Sequence, residues 1–487
     1  MLLMENKVQS VFFMLRAFLV SSSILFFCSS ANANFNNALK LYEEKNYPEA
    51  FYAFKNLAYI GDKESQFNLG VMYFRGEHVE KDAIEAYAWM HVASENDIEK
   101  FIRIKNILYK KLGEKEQHAA DFHAGQYLKT FGKVALGNSL APKPLSDADC
   151  TQDVKLLHIK QPKYPDAKES AGQIGYVDIV LNISPQGYAR DISVRTITDS
   201  AFFEASAKSA ISGRWEGKIE DGYLVPQLNI NYRFRFAGFK DGRLRTSKFV
   251  KAAKKSLKKA EEGDVKSQYL YAKTLDAARA MKLKLKTLDI EYRNSNEWYM
   301  LSAKSGHPLA QYELGKNMLA GKGCEADRET GLKWLRAAAL AGHPYAQEEI
   351  AMSTINDGVS DARRAVFWLR KASNSNAYPP KLFLAWELAA NSSFELRDGN
   401  EALRLLEEEA KYYYDDVRLF ETKAAAYAQL DDFSNAVKWQ AMAIKKAKSL
   451  RWDIPVMQDR LAAYSQSKSW SGAYHVPQAV PLNESSS

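Results

Sequence analysis

The sequence predicts a mainly α-helical protein, with helical-repeat solenoid arms set around a small α+β unit of order β-β-α-β. Three observations predict it. Trp298 and Trp334, Ala303 and Ala339, Gly306 and Gly342, and Gln311 and Gln347 each lie 36 residues apart. A period in the mid-thirties with two helical patterns per period is the signature of a helix-turn-helix solenoid. A glycine joint recurs at Gly61-Asp62, Gly263-Asp264, Gly306-His307 and Gly342-His343, where one helix ends and the next begins. Between the repeats, Val177, Ile179, Leu181 and Ile183 alternate with Asp178, Val180 and Asn182, the period of a strand.

A chain of 487 residues is too long for one ordinary core, and about two to four domains are expected. Its apolar and charged fractions, 46% and 26%, are those of a folded soluble protein, which confines disorder to the ends. The net charge of +8 has no long basic block behind it, so nucleic acid is not an expected partner.

The organisation in order is a leader over 1–33, repeats over 34–136, a linker over 137–160, the α+β unit over 161–240, repeats over 248–466 and a fraying tail over 467–487. In the leader, Lys7 and Arg16 precede the apolar run Ala17–Phe27, which is too short to span a bilayer. Ala31 and Ala33 fit the small-x-small cleavage pattern of a secretory signal peptide. Cleavage after Ala33 would leave a chain that starts at Asn34, with no integral membrane span, in an exported and oxidising compartment. The other reading is an uncleaved anchor with Arg16 snorkelling. Cys28 follows bulky Phe27, which argues against a lipobox. Export leaves Cys150 and Cys324, and one disulfide between them is open; sequence does not say whether they meet.

Within the repeats, tryptophan and alanine at helical spacing bury large against small between paired helices. Trp368 follows Trp334 at 34 residues and opens "WLRKAS", an echo of "WLRAAA". The joint, "AQ..LG", "G.G…D" and "W…AA" recur in order over roughly residues 35–110 and 250–375. These segments resemble Sel-1-like repeats, a branch of the tetratricopeptide class. Ala424–Lys448, with Tyr427, Asp432-Phe433, Ala436 and Ala443, resembles an ordinary tetratricopeptide repeat, and "LYEEKNYPEAFYAFKNLA" near Leu41 starts similarly. The resemblance implies a concave surface that binds proteins. His307 and His343 occupy the slot that Asp62 and Asp264 fill elsewhere, so they read as joint residues. Lys251, Lys254, Lys255, Lys258 and Lys259 line one side of a helix and read as a solvated face, with an anionic partner as the alternative.

In the α+β unit, Pro185-Gln186-Gly187 supplies a turn, and a second strand covers about Ala189–Ile197. Asp199-Ser200 can cap a helix over Ala201–Arg214 that buries Phe203, Ala207 and Ala210 or Ile211, with Trp215 closing the core. In the last strand Leu224, Pro226, Leu228, Ile230, Tyr232, Phe234 and Phe236 point one way, and Gln227, Asn229, Asn231, Arg233 and Arg235 the other. Three strands cannot close on themselves, so edges remain. Arg233 and Arg235 either blunt the last edge or leave it to strand addition by an extended peptide.

Residues 161–236 resemble the C-terminal domain of TonB, the periplasmic energy transducer of Gram-negative bacteria. The features that carry this are Pro162-x-Tyr164-Pro165, Ala167, Gly172, Gly175-x-Val177, Ile183-x-Pro185-x-Gly187, Phe203 leading into Ala207 and Ala210, Arg214-Trp215 and the strand ending Phe234-x-Phe236. The resemblance implies capture of a transporter segment by strand addition along the last strand. Carried over, the contact residues are Gln161, Pro162, Tyr164 and Pro165, with Leu228, Asn229, Ile230, Asn231, Tyr232, Arg233, Phe234, Arg235 and Phe236. The partners it implies are TonB-dependent outer-membrane transporters or TonB-system components. This chain departs from the family in four ways: a leader expected to be cleaved in place of an uncleaved anchor, no long Pro-rich spacer, a unit lying between repeats, and Glu216 instead of proline after Arg214-Trp215. The expected loss of the anchor stands against transduction of force.

The leading functional expectation is a periplasmic protein–protein interaction adaptor. The alternative is a cell-envelope scaffold that binds peptidoglycan or cell-wall assembly proteins. An enzyme is not expected: no nucleophile elbow, phosphate loop or metal-ligand cluster is present, and His118 and His123 miss the i, i+4 spacing of a helical metal pair. No cofactor or metal is implied.

Overall fold

The structure is a computed structural model that describes residues 33–96, 98–145, 154–170, 175–197, 199–236, 239–240, 243–244, 247–280, 292–356, 362–375, 378–413, 416–472 and 479–481. The expected leader up to residue 32, with its cleavage pattern, and Cys150 lie outside the described residues.

The first array comprises α1 (Ala33–Glu43), α2 (Tyr47–Ala58), α3 (Lys63–Arg75), α4 (Ala83–Ala93), α5 (Glu99–Tyr109), α6 (Glu114–Phe131) and α7 (Lys133–Ser139). The inserted unit contains β1 (Leu156–His158), α8 (Asp166–Ser170), β2 (Gly175–Ile183), β3 (Ala189–Ile197), α9 (Phe203–Ile211), β4 (Arg214–Trp215), β5 (Lys218–Glu220), β6 (Tyr223–Val225) and β7 (Gln227–Phe236). A short hairpin, β8 (Phe239–Lys240) and β9 (Arg243–Leu244), leads on to the second array. That array runs α10 (Ser247–Glu261), α11 (Val265–Ala280), α12 (Tyr292–Lys304), α13 (Pro308–Leu319), α14 (Arg328–Leu340), α15 (Pro344–Asn356) and α16 (Ala362–Ser373). It continues with α17 (Tyr378–Ala390), α18 (Gly399–Tyr413), α19 (Val417–Gln429), α20 (Phe433–Ser449) and α21 (Pro455–Ser465), and β10 (Val480–Pro481) follows.

The recurring residues perform one job at each joint. Gly61, Gly263, Gly306 and Gly342 take φ between +79° and +91°, which ends the preceding helix. The next residue caps the following helix. Asp62 accepts from the Ser65 amide at 2.7 Å and Asp264 from Ser267 at 2.8 Å. His307 and His343 do the same through Nδ1, accepting from Ala310 and Ala346 at 3.4 and 3.2 Å. The repeat glutamine then reaches back eight residues. Gln66, Gln268, Gln311 and Gln347 donate to the carbonyls of Ala58, Ala260, Ala303 and Ala339 at 3.0, 3.4, 3.2 and 2.9 Å. These are helix-end carbonyls, which have no intrahelical partner. The glycine of "LG" has a packing reason: a Cβ on Gly315 would meet the Gly331 carbonyl at 2.8 Å.

The arrays join through α14. Ala337 and Leu340 share a core cluster with Tyr42, Phe54 and Trp89, and Asn37 donates to the Leu340 carbonyl at 2.7 Å. The start of the expected linker is anchored as well. Leu136 and Leu140 are buried beside Leu314 and Trp334, whose indole donates to the Leu140 carbonyl at 3.3 Å. Lys143 and Leu145 exchange backbone bonds with Glu325 and Gly323, bracketing buried Cys324. Of the expected tail, Trp470 packs near Arg460, and Val480–Pro481 forms a strand.

The inserted unit has an antiparallel sheet of order β3-β2-β7 with α9 against it, the expected β-β-α-β plan. Two details differ from expectation. The helix begins with a 3-10 turn at Ser200–Phe202, which rotates Phe202 instead of Phe203 into the core, stacked on Phe236 at 4.2 Å. Ser206, Ser209 and Ala210 are buried, while Ile211 is half exposed. The last strand breaks at Pro226, which cannot donate to a ladder, so Leu224 belongs to a separate hairpin with β5. A register shift between Leu181 and Ile183 turns the first residues of β7 over: Gln227 is buried and Leu228 exposed.

Candidate functional site

The residues expected to capture a strand divide by position. Phe234 and Phe236 are buried, and Tyr164 sets its ring edge-on against Phe202 and Phe236 at 5.9 and 5.5 Å. Ile230 and Tyr232 pack on the same core. Pro162 and Pro165 are half-buried, and Pro165 accepts the first backbone bonds of α8. Gln161, Leu228 and Arg235 are exposed, and Asn231 is half-buried. The Asn229 side chain lies outside the described residues. Arg233 is tied to Asp178, its Nη2 donating at 2.6 Å, and its guanidinium lies 4.4 Å from the Tyr176 ring centre. So Arg233, Phe234 and Phe236 serve their own domain, and beside the exposed Leu228 and Arg235 the strand offers a partner its outer main-chain edge.

The opposite edge of the sheet is engaged by the repeats. From β3, Arg195 donates to Glu348 of α15 at 3.0 Å, with Glu349 nearby and the Tyr345 ring beneath it. Arg190 is 1% exposed, reaches Asp453 at 3.1 Å and lies 4.7 Å from the Trp452 ring centre. The indole of Trp452 donates to the Ala189 carbonyl at 3.1 Å. Arg418 of α19 donates to the Ile192 carbonyl at 3.0 Å while Asp416 holds its guanidinium. Burial acts against the Arg195 charge, but Glu348 and Glu349 outweigh it and raise its pKa above the ordinary value.

Charges under β2 complete this interface. Glu313 of α13 and Lys273 of α11 pair at 2.9 Å beside Tyr176. Burial works to raise the Glu313 carboxyl, yet Lys273 and Lys316 hold it down at about 2. Burial pushes Lys322 down to about 8, with Lys316 adding to it and Asp178 opposing. The unit is thus bonded to α15 and α19, with the Lys273–Glu313 pair of α11 and α13 acting on Tyr176. Sequence reading missed Arg190, Arg195 and Arg418; alternation along β3 puts Arg190 and Arg195, five residues apart, on opposite faces and does not show that helices cover either.

A cleft of about 840 Å³ opens elsewhere, between α1–α2 on one side and α15–α16 on the other, with α14 contributing to its lining. Lys40, Arg336, Arg363, Arg364 and Lys371 line it against Glu44 and Glu49. Arg364 lies 4.4 Å from the Tyr52 ring centre and links the two walls.

The joint, the reaching glutamine and the close-packed glycine are shared features of a known repeat, and the Sel1 repeat family matches residues 63–98, 308–343 and 354–376. The helical arrays carry Sel1 repeats. The Gram-negative bacterial TonB protein C-terminal family matches residues 160–236. No curated protein sequence matches the chain. Among solved structures, a Sel1 repeat protein from Oxalobacter formigenes is 19% identical, with a TM-score of 0.32 over 41% of this chain and 83% of that one. The protective antigen c5321 of uropathogenic Escherichia coli, which displays an SLR fold, is 17% identical, with a TM-score of 0.29 over 92% and 89%. Yeast Tom70 is 12% identical, with a TM-score of 0.24 over 90% and 95%. At these scores the likenesses support no inference. Sel1 repeats are protein-interaction modules, and the fold typically serves as a scaffold instead of an enzyme. Among the described residues no helix is long and apolar enough to cross a membrane.

Proposed function

We propose that this chain is a periplasmic interaction adaptor of a TonB-type transport system. A signal peptide over residues 1–33 delivers it to the periplasm. The outer edge of β7 captures an extended strand from a TonB-dependent outer-membrane transporter or a TonB-system component, using main-chain hydrogen bonds. Gln161 and Pro162 are further contacts we assign to the captured strand, while Tyr164 packs on Phe236 of the strand itself. The Sel1 repeats hold a second protein, and the basic cleft beside α14 is the surface we assign to it.

The observation that carries this reading is the asymmetry of the sheet. Its β3 edge is taken up by Arg418 and Trp452, and β7 is the strand at the other edge, with β2 as its neighbour. The test places a photo-reactive amino acid at Leu228 or Arg235 of the full chain in Gram-negative cells, with exposed Phe122 on α6 as the control position. Cross-links from 228 and 235 to an outer-membrane transporter, absent from 122, are expected. Identical products at all three positions would sink the reading.

A further inference from the structure

Strand β6 has two neighbours, β5 on one side and β10 on the other. Only Pro226 separates β6 from β7, so the two strands form one interrupted line. The flank occupied by β5 is also the flank occupied by β2. Ile183 of β2 pairs with Gln227, and the Gln227 side chain donates through Nε2 to the Glu216 carbonyl at 3.0 Å, two residues before β5. Gly217, the next residue, lies against Pro185, just beyond the end of β2: a Cβ there would meet the Pro185 carbonyl at 3.0 Å. It follows that β10 takes the opposite flank, which along β7 is the capture edge proposed above.

We propose that the outer flank of β6 and β7 is one strand-acceptor edge, and that Val480–Pro481 is its resident strand at the β6 end. The inference rests on the strand-capture reading of β7. Val480 pairs antiparallel with Leu224, and Pro481 with Tyr223. The hairpin beneath exposes apolar side chains beside its Lys218–Glu220 ion pair, with Ile219 58% and Tyr223 47% exposed even with the resident in place. Such an edge suits an uncharged, extended segment with β-branched residues, which is the character of the resident. Pro481 has no N–H to offer on its own outer side, so the added strand ends the ladder instead of extending it. The segment is led from the helical frame at Gly472, whose amide donates to the Ala390 carbonyl at 2.9 Å and whose carbonyl accepts from the Trp386 indole at 3.1 Å. A transporter strand long enough to run from β7 on to β6 must displace this resident.

The test uses the full chain. Two double variants, Leu224→Cys with Val480→Cys and Tyr223→Cys with Pro481→Cys, are oxidised gently and mapped by mass spectrometry. Adjacent antiparallel pairs alternate between the wide and the close kind, so one of the two has side chains near enough to join. Ile219→Cys with Val480→Cys is the control, because β5 lies one strand beyond β6, about 10 Å from β10 at the ordinary strand spacing. A link in one of the first two and none in the control is expected. A peptide of residues 473–481, Ala-Tyr-His-Val-Pro-Gln-Ala-Val-Pro, is then added to a chain ending at Gly472 and to the full chain. Binding at least tenfold tighter to the shortened chain is expected. No cross-link in either variant, or equal peptide binding by both chains, would overturn the proposal. Loss of the transporter cross-links from Leu228 with a retained 224–480 or 223–481 link would remove the capture reading alone.

Discussion

Replacing Arg195 with alanine tests the docking of the inserted unit on the repeats. The side chains of Arg195 and Glu348 are 10% and 2% exposed and meet at 3.0 Å. Removing one partner of a buried pair leaves the other charge uncompensated, at about 3–5 kcal/mol. Arg190, Arg418 and Trp452 still hold β3, so the loss falls on docking and leaves the unit's own core intact. Taking about 3 kcal/mol, and tenfold for each 1.4 kcal/mol, the open state of the interface rises about 100-fold. Amide exchange read by mass spectrometry over residues 188–195 should accelerate by that factor, while the amides of β2 stay protected. The double variant Arg195→Met with Glu348→Leu removes both charges and should return to within about 1 kcal/mol of the parent, because a buried pair gains little over apolar residues of similar size. An acceleration below tenfold in Arg195→Ala, or one spread equally over the Sel1 repeats, would refute the reasoning.

Two further outcomes are expected. Burial holds His343 down at about 4, further lowered by Lys316 and opposed by Glu313, against about 6.5 in an unfolded chain. The unfolded state thus binds more protons between pH 4 and 6.5, so the cap's contribution is full above pH 6.5 and is lost as the pH falls towards 4. His343→Asp, which restores the residue type of Asp62 and Asp264, should shrink the loss of stability between pH 7 and 4.5 by roughly 2 kcal/mol in denaturant titrations; an unchanged loss would count against it. Gln347→Ala removes one of the two hydrogen bonds to the Ala339 carbonyl, which keeps the Gly342 amide, and should lower stability by about 0.5–1.5 kcal/mol, seen as a reduced denaturant midpoint.

The sequence by itself determined whatever depends on near neighbours in the chain. The joint glycine, its cap and the glutamine five residues on all act within one repeat, so their period shows directly what they do. The β-β-α-β order was legible for the same reason, since alternation reports one buried face whatever lies beyond the domain. Local rules failed where a small rotation decided the outcome. One 3-10 turn exchanged Phe203 for Phe202, and a bulge with Pro226 inverted Gln227 and Leu228.

Only the tertiary structure decided which surfaces are taken. Arg195 meets Glu348 across 153 residues and Arg190 meets Asp453 across 263, distances over which no sequence period operates. On an isolated sheet the polar face of β3 reads as solvated, and both edges look equally open. The charged residues of α11, α13, α15 and α19 are buried against that sheet because each finds a partner of opposite sign or a main-chain carbonyl there. A buried charge is retained only where such a partner exists. That complementarity commits β3 to the helices and leaves β7 at the far edge of the sheet.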